Sequence, residues 1–149
     1  MKTASAHLEA LCARHPLLAA CRAPIEQAAD ALTACFRGGG KLLLAGNGGS
    51  AADCLHIAGE LLKGFCLPRP LDAGLRVALA AQYGDEGVRL GRGLQQGVPA
   101  IALGAETALT TAVANDLDAE FVFAQGVMAL GAPGDCFLGL STSGTARNV

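Results

Sequence analysis

The chain has 149 residues, with 13 acidic and 11 basic side chains and a formal net charge of −2. This length suits one ordinary domain, and a composition that is 52% apolar and 16% charged excludes a disordered chain or a charged fibre. The weak negative charge, the absence of Trp and the single Tyr argue against a surface that binds nucleic acid.

The surplus of apolar residues predicts contacts between subunits, because a lone small domain cannot bury so much Ala, Leu and Val. No apolar run approaches the roughly 20 residues that cross a bilayer, and polar residues interrupt the amino terminus, so we expect neither a membrane span nor a secretory signal. The six cysteines include no C-x-x-C pair. We expect them to be buried free thiols of a protein in the reducing cytoplasm.

The first forty residues are predicted to form two helices, 4–15 and 24–37, divided near Pro16 and Pro24. We interpret segment 1–40 as a helical oligomer contact that uses apolar residues of both helices, namely Leu8, Leu11, Ile25 and Leu32. Three glycines, 38–40, end the second helix.

Three short apolar runs, each followed by a polar or glycine-rich loop, predict buried strands at 41–45, 99–104 and 136–140. Predicted helices separate them, at 51–63 with Ser50 as its N-cap, at 107–114 and at 119–130. Segment 65–98 reads as a proline turn and then one or two short helices broken by glycines. Alternation of strands and helices predicts an α/β fold, a parallel sheet flanked by helices.

The first candidate binding loop follows a predicted buried strand and precedes a predicted helix. Its sequence is Gly46-Asn47-Gly48-Gly49-Ser50. Backbone N–H groups and the positive end of a helix dipole meet at such a turn, so the loop predicts an anion site. The spacing also fits a dinucleotide fingerprint, but the acidic residue expected about 20 positions later is missing. A plain tight turn is the remaining alternative.

The second loop follows the last predicted strand and reads Ser141-Thr142-Ser143-Gly144-Thr145. Its four hydroxyls suit a phosphate held by hydrogen bonds without a lysine. Open parallel sheets bind ligands at the carboxyl ends of their strands, where both loops are expected.

His56 and Glu60 are four residues apart in the helix that follows the first loop. They therefore project from one face, one turn apart, in a geometry that suits a metal ion or proton transfer. An ordinary exposed helical pair is the alternative interpretation of the same spacing.

Five segments in order carry a family resemblance: Gly46 to Asp53, His56 to Leu61, Ala114-Asn115-Asp116 with Phe121, Pro133-Gly134-Asp135, and Ser141-Thr142-Ser143-Gly144. From about Lys41 to the end they resemble the sugar isomerase (SIS) domain of the phosphoheptose isomerase family. The resemblance implies a three-layer, flavodoxin-like SIS fold over residues 41–149, with the carboxyl-terminal part of the domain absent.

The same resemblance implies a cytoplasmic homotetramer with sites between subunits, often with zinc. Its members convert sedoheptulose 7-phosphate to D-glycero-D-manno-heptose 7-phosphate through an enediol. Carried over by position, Glu60 is the catalytic base and a substrate contact, and His56 with Glu60 are metal ligands. The other implied substrate contacts are Asn47, Gly48, Gly49, Ser50, Asn115, Asp116, Ser141, Thr142 and Ser143.

The chain departs from the family pattern in three places. Thr145 and Ala146 stand where the family has Asn and Ser, and segment 65–98 is longer than usual, which we expect to reshape the substrate pocket. The family's carboxyl-terminal Gln and His have no counterpart before Val149, so we expect this 149-residue form to be nearly inactive.

The main competing function is a non-catalytic SIS module that binds sugar phosphates as a regulator, or a relative that binds a bacterial replication initiator. The His56–Glu60 pair favours the isomerase, because a sensor needs phosphate loops but no proton-transfer pair. A nucleotide-binding Rossmann domain is the third alternative.

Overall fold

A computed structural model describes residues 4–149, so the first three residues of the predicted 1–40 segment lie outside it. Helices and strands follow one another in this order: α1 (Ala4–Arg14), a 3-10 helix (Pro16–Cys21), α2 (Arg22–Arg37), β1 (Leu42–Gly46), α3 (Gly49–Leu62), α4 (Ala73–Gly93), β2 (Ala100–Ala102), α5 (Thr107–Asp116), a 3-10 helix (Ala119–Phe121), α6 (Val122–Leu130) and β3 (Cys136–Leu140). None of these described helices is both long enough and apolar enough to cross a membrane.

The three strands form one parallel sheet in the order β2-β1-β3. Leu42 at the start of the central strand lies opposite Ala100 on one side and Cys136 on the other. Every residue of β1 is buried, as a strand covered on both faces requires. The predicted parallel α/β sheet is confirmed.

Helices cover both faces of the sheet and make three layers. On one face, Leu42 and Leu44 pack with Cys54 and Ala58 of α3, and residues of α2 close over them. On the other face, Leu43 and Ala45 pack with Leu103 and with Phe123 of α6. The alternation of side chains along β1 therefore supplies two separate apolar cores.

The amino-terminal helices differ from the prediction at their junction. A 3-10 helix joins them, and α2 begins at Arg22, so Pro24 lies inside its first turn, where a missing N–H costs no helical hydrogen bond. Leu8 is buried within the chain, on a cavity that Ile25 also lines, and the subunit contact of this segment stays a prediction.

Segment 65–98 contains a helical hairpin whose two arms are broken at Gly84, as predicted, whereas Gly87 and Gly91 lie within the second arm. Helix α4 is continuous from Ala73 to Gly93 except at Gly84, whose φ of 56° and ψ of −133° reverse the chain direction. The two arms then pack closely enough that a Cβ on Gly87 would lie 1.8 Å from the Leu79 carbonyl oxygen. Among the described elements, the hairpin has only sparse contact with the other helices and strands.

An ion pair joins the starts of β1 and β3 at the amino edge of the sheet. Asp135 Oδ2 accepts from Lys41 Nζ at 2.5 Å, and Asp135 Oδ1 accepts from the Lys41 backbone N–H at 2.9 Å. These hydrogen bonds from Lys41 hold the pKa of Asp135 at about 2. The loops with the predicted chemistry lie at the opposite, carboxyl edge.

Candidate functional site

The first loop turns sharply from β1 into α3, and glycine is required at two of its positions. A Cβ on Gly46 would lie 2.9 Å from atoms of Ser50, because the strand and the helix approach closely there. Gly48 has φ 55° and ψ −121°, a conformation that only glycine adopts readily. Gly48 is the N-cap of α3 and Ser50 is its second residue, so the prediction of Ser50 as N-cap was wrong.

The second loop is ordered by its own hydroxyl groups. Ser143 Oγ accepts a hydrogen bond from the Thr145 backbone N–H at 3.2 Å and lies 3.0 Å from Thr145 Oγ1. Ser141 Oγ and Ser143 Oγ are 3.5 Å apart. Thr145, which departs from the family pattern, thus supports the loop through Ser143.

The two loops meet at one cavity of about 240 Å³. Residues of both loops line it: Asn47, Ser50, Leu140, Ser141, Thr142, Ser143 and Ala146. All of these side chains are neutral, and hydroxyl groups and one amide supply their polar atoms. The sheet therefore places the predicted anion loop and the predicted phosphate loop side by side.

A reciprocal amide pair fixes Asn47 at this cavity. Asn47 Nδ2 donates to Asn148 Oδ1 at 2.8 Å, and Asn148 Nδ2 donates to Asn47 Oδ1 at 3.0 Å. A second cavity, of about 230 Å³, opens on the other side of Asn47 and is lined mainly by apolar side chains such as Leu55 and Phe123. Asn47 thus lies between a polar and an apolar cavity, and Asn148 sets its orientation.

His56 and Glu60 lie further along α3, both exposed and one turn apart as predicted. Neither lines either of the two cavities that Asn47 borders. Arg69 holds the end of this helix, since its guanidinium donates to the Glu60 carbonyl at 3.2 Å and to the Leu61 carbonyl at 2.5 Å. Arg69 thereby fixes the backbone at Glu60, a role that the sequence did not indicate.

The structure does not bring the remaining predicted substrate contacts to the cavity within one chain. Asn115 and Asp116 are the exposed last residues of α5, and Asn115 Nδ2 donates to Asp116 Oδ1 at 2.7 Å. The α4 hairpin also lines neither of the cavities that Asn47 borders, so the expectation that segment 65–98 reshapes this pocket fails for a single chain.

A tetrahedral zinc site requires four ligands, and the resemblance names two of them here, His56 and Glu60. Residues 4–149 contain no group of three or more His, Cys, Asp or Glu side chains placed to hold a metal ion. The described residues of one chain therefore do not complete a zinc site, and zinc stays a prediction of the resemblance.

The chain is similar in sequence and in structure to several phosphoheptose isomerases. A phosphoheptose isomerase from Trichlorobacter lovleyi is 39% identical over 127 residues, which cover 85% of this chain and 52% of the relative. Solved phosphoheptose isomerases from Neisseria gonorrhoeae and Francisella tularensis superpose with TM-scores of 0.65 and 0.62, at 31% and 32% identity.

These matches cover most of this chain but a much smaller share of each relative. The Neisseria structure matches 97% of this chain and the Francisella structure 83%, which correspond to 61% and 51% of those proteins. The chain thus spans about half the length of the curated relatives it matches. The SIS domain model matches residues 9–85. The chain belongs to the SIS domain family, and its curated relatives are phosphoheptose isomerases.

Proposed function

We propose that this protein is a sugar-phosphate isomerase of the cytoplasm that acts on sedoheptulose 7-phosphate, and that it works as a homotetramer. The observation that carries the proposal is the cavity where the Gly46–Ser50 turn and the Ser141–Thr145 loop meet. A phosphate ester fits the hydroxyl-rich lining, and the relatives are named for a phosphorylated heptose.

The phosphate is held by hydrogen bonds and by a helix dipole rather than by a cation. Ser50, Ser141 and Ser143 offer hydroxyl groups, and α3 points its amino terminus toward the carboxyl edge of the sheet. Each hydrogen bond to a charged group contributes roughly 1.5–3 kcal/mol, so a few together suffice for a sugar phosphate.

Isomerisation moves a proton between the two carbons that share the enediol. The base removes a proton from the carbon beside the ketose carbonyl, and the carbonyl oxygen gains a proton to give the enediol. The former carbonyl carbon then receives a proton, and the hydroxyl on the first carbon loses its proton as the aldehyde forms. Glu60 is the proposed base. Its carboxylate can take the proton, hold it, and return it to the adjacent carbon.

The length of α3 supports a site that two subunits share. Ser50 and Glu60 are ten residues apart on one helix, which corresponds to about 15 Å of axial rise. Seven bonds of about 1.5 Å join phosphorus to the ketose carbonyl carbon, and even fully extended they span less than about 11 Å. The backbones are thus further apart than the substrate is long, and Glu60 lines neither cavity that Asn47 borders, so we propose that the loops of one copy bind phosphate while Glu60 of a second copy removes the proton.

Calorimetric titration of the chain with sedoheptulose 7-phosphate and with unphosphorylated sedoheptulose tests the binding half of the proposal. We expect only the phosphate ester to bind, and Ser141→Ala to weaken it by about 1.5–3 kcal/mol, roughly ten- to a hundredfold in Kd. Ser5→Ala, which removes an exposed hydroxyl from α1, is the matched control and should leave Kd unchanged.

Equal affinity for the free sugar and its phosphate would contradict the phosphate cradle. Tight, phosphate-dependent binding without any proton exchange in an assembled protein would instead favour the sugar-phosphate sensor, because such a module needs the cavity and not Glu60.

A further inference from the structure

Two cysteines meet at the amino edge of the sheet, away from the substrate loops. Cys35 lies in the last turn of α2, and Cys136 begins β3. The Cys35 thiol donates to the Lys41 carbonyl oxygen at 3.4 Å, and the Cys136 backbone N–H donates to the same oxygen at 3.0 Å. Both residues thus converge on one backbone atom at the start of β1.

The Cys136 side chain lies against α2, the helix that carries Cys35. Cys136 Sγ lies 3.8 Å from the Ala31 carbonyl oxygen, one helical turn before Cys35. The Cys35 and Cys136 thiols therefore lie in one small region beside the start of β1, each next to a backbone carbonyl oxygen. Because they come from α2 and from β3, about a hundred residues apart, the fold brings them together and local sequence does not.

The thiols are reachable from solvent. Both cysteines line an open cavity of about 500 Å³, together with Lys41 and Asp135, whose side chains pair with each other. Cys35 is 7% exposed, whereas Cys136 is only partly buried. A small oxidant therefore meets Cys136 first.

We propose that Cys35 and Cys136 are a dithiol modification site that a hydroperoxide oxidises to a disulfide between α2 and β3. The Cys136 thiolate attacks one peroxide oxygen, the O–O bond breaks, and with hydrogen peroxide the leaving hydroxide takes a proton and departs as water. Cys35 sulfur then attacks the sulfenic sulfur of Cys136, the S–O bond breaks, and a second water carries away the Cys35 proton. The sulfur pair loses two electrons, and the peroxide gains them.

The surroundings govern the two steps differently. Burial, the neighbouring Cys35 thiol and the negative charge of Asp135 raise the pKa of the Cys136 thiol. Less thiolate at neutral pH slows the first step. The second step is intramolecular and Cys35 is held beside Cys136, so sulfenic acid should be converted to disulfide before it accumulates.

The sequence makes the test direct, because trypsin separates all six cysteines. Cys35 falls in peptide 23–37 and Cys136 in peptide 93–147, each with a single cysteine. The folded chain is treated with hydrogen peroxide, its remaining thiols are alkylated, and the digest is analysed by mass spectrometry. We expect the 23–37 and 93–147 peptides linked, with the loss of two hydrogen atoms, as the dominant intramolecular product, and reduction should release them.

Variants of single cysteines give the controls. Cys136→Ser should abolish the linked product and leave Cys35 alkylated, whereas Cys66→Ser, which changes an exposed thiol, should leave the link intact. Cys54 is buried in the core and should stay a free thiol throughout. If peptides 23–37 and 93–147 stay unlinked while exposed Cys21 and Cys66 oxidise, or if Cys136 becomes sulfinic acid without linking, the proposal is overturned.

Discussion

Glutamine has the shape of Glu60 but cannot take a proton. If Glu60 is the base, Glu60→Gln in an assembled and active protein should leave the Kd for sedoheptulose 7-phosphate within a few-fold and lower kcat by roughly 10²–10⁴. The measurement is exchange of the hydrogen beside the carbonyl, followed by NMR in D₂O.

The neighbouring pair supplies a comparison for that variant. His56→Gln changes the other exposed polar residue on the same helix face and keeps Glu60 as the base. If Glu60→Gln exchanges the substrate hydrogen at the parent rate, Glu60 is not the base and His56 and Glu60 are an ordinary helical pair. That result would favour a binding module over an isomerase.

Asn148 reaches the cavity only through Asn47. Asn148→Ala removes the two neutral hydrogen bonds that orient Asn47. If the lost orientation costs as much as one such bond, about 0.5–1.5 kcal/mol, the Kd for sedoheptulose 7-phosphate should rise roughly two- to tenfold. Arg147→Ala is the matched control, because this neighbour pairs with Glu120 outside the cavity and should leave Kd unchanged. An unchanged Kd in Asn148→Ala would show that Asn47 needs no partner.

The sequence predicted the residues that line the cavity, but it did not predict the residues that hold Asn47 and the end of α3 in place. Ser50 and Ser141 each follow a predicted strand, and parallel strands end at a common edge, so their meeting follows from topology alone. Asn148 pairs across about a hundred residues and Arg69 caps a helix through backbone carbonyls. Neither contact has a local pattern, so only the folded structure shows them.

At the scale of an element, the hairpin of α4 depends on one glycine. Gly87→Ala would place a methyl group 1.8 Å from a carbonyl oxygen of the other arm, and overpacking of this kind costs about 1–3 kcal/mol. The hairpin barely touches the sheet, so we expect faster hydrogen exchange within 73–93 and little change in the thermal unfolding of the rest.

Gly93→Ala is the control for that variant. Gly93 ends the same helix, and a Cβ there would meet no atom within 4 Å among the described residues, so exchange should match the parent. Equal protection of 73–93 in both variants would mean that the two arms do not pack through Gly87.

Helices and strands were predicted correctly where a local sequence pattern determines them. They were predicted wrongly where packing between elements determines them. The buried run of β1 and the glycine turn after it identify themselves by sequence. The glycines of α4 read as helix breakers, yet Gly87 and Gly91 are buried helical residues that let one arm approach the other. A glycine in a helical sequence can therefore either break the helix or allow another segment to pack closely, and only the position of that segment distinguishes the two roles.

At the scale of the whole molecule, much apolar surface remains uncovered. Leu17 is 93% exposed, Met128 81% and Phe65 76%. Together with the separation of Ser50 from Glu60, this surface leads us to expect an oligomer, which buries apolar area and completes the site. Light scattering at micromolar concentration should give a mass well above the 15.0 kDa of one chain.

A clean 15.0 kDa species over that concentration range would contradict the oligomer and the shared site together. The control is the same measurement on Leu17→Ser, which separates the two explanations of exposure. If Leu17 lies in a subunit contact, this substitution lowers the mass, whereas a merely exposed leucine can be replaced without effect.

The position of β1 at the centre of the sheet also governs how the chain is made. Its two partners come later in the sequence, and Cys136, opposite Leu42, is 94 positions further on. At a synthesis rate of about 5–20 residues per second, the ribosome needs roughly 5–20 s to supply that partner. During this interval Leu42, Leu43 and Leu44 have no complete sheet to enter. The strand that is most deeply buried in the finished protein is thus the one a nascent chain exposes longest, and the segment that a chaperone has most reason to hold.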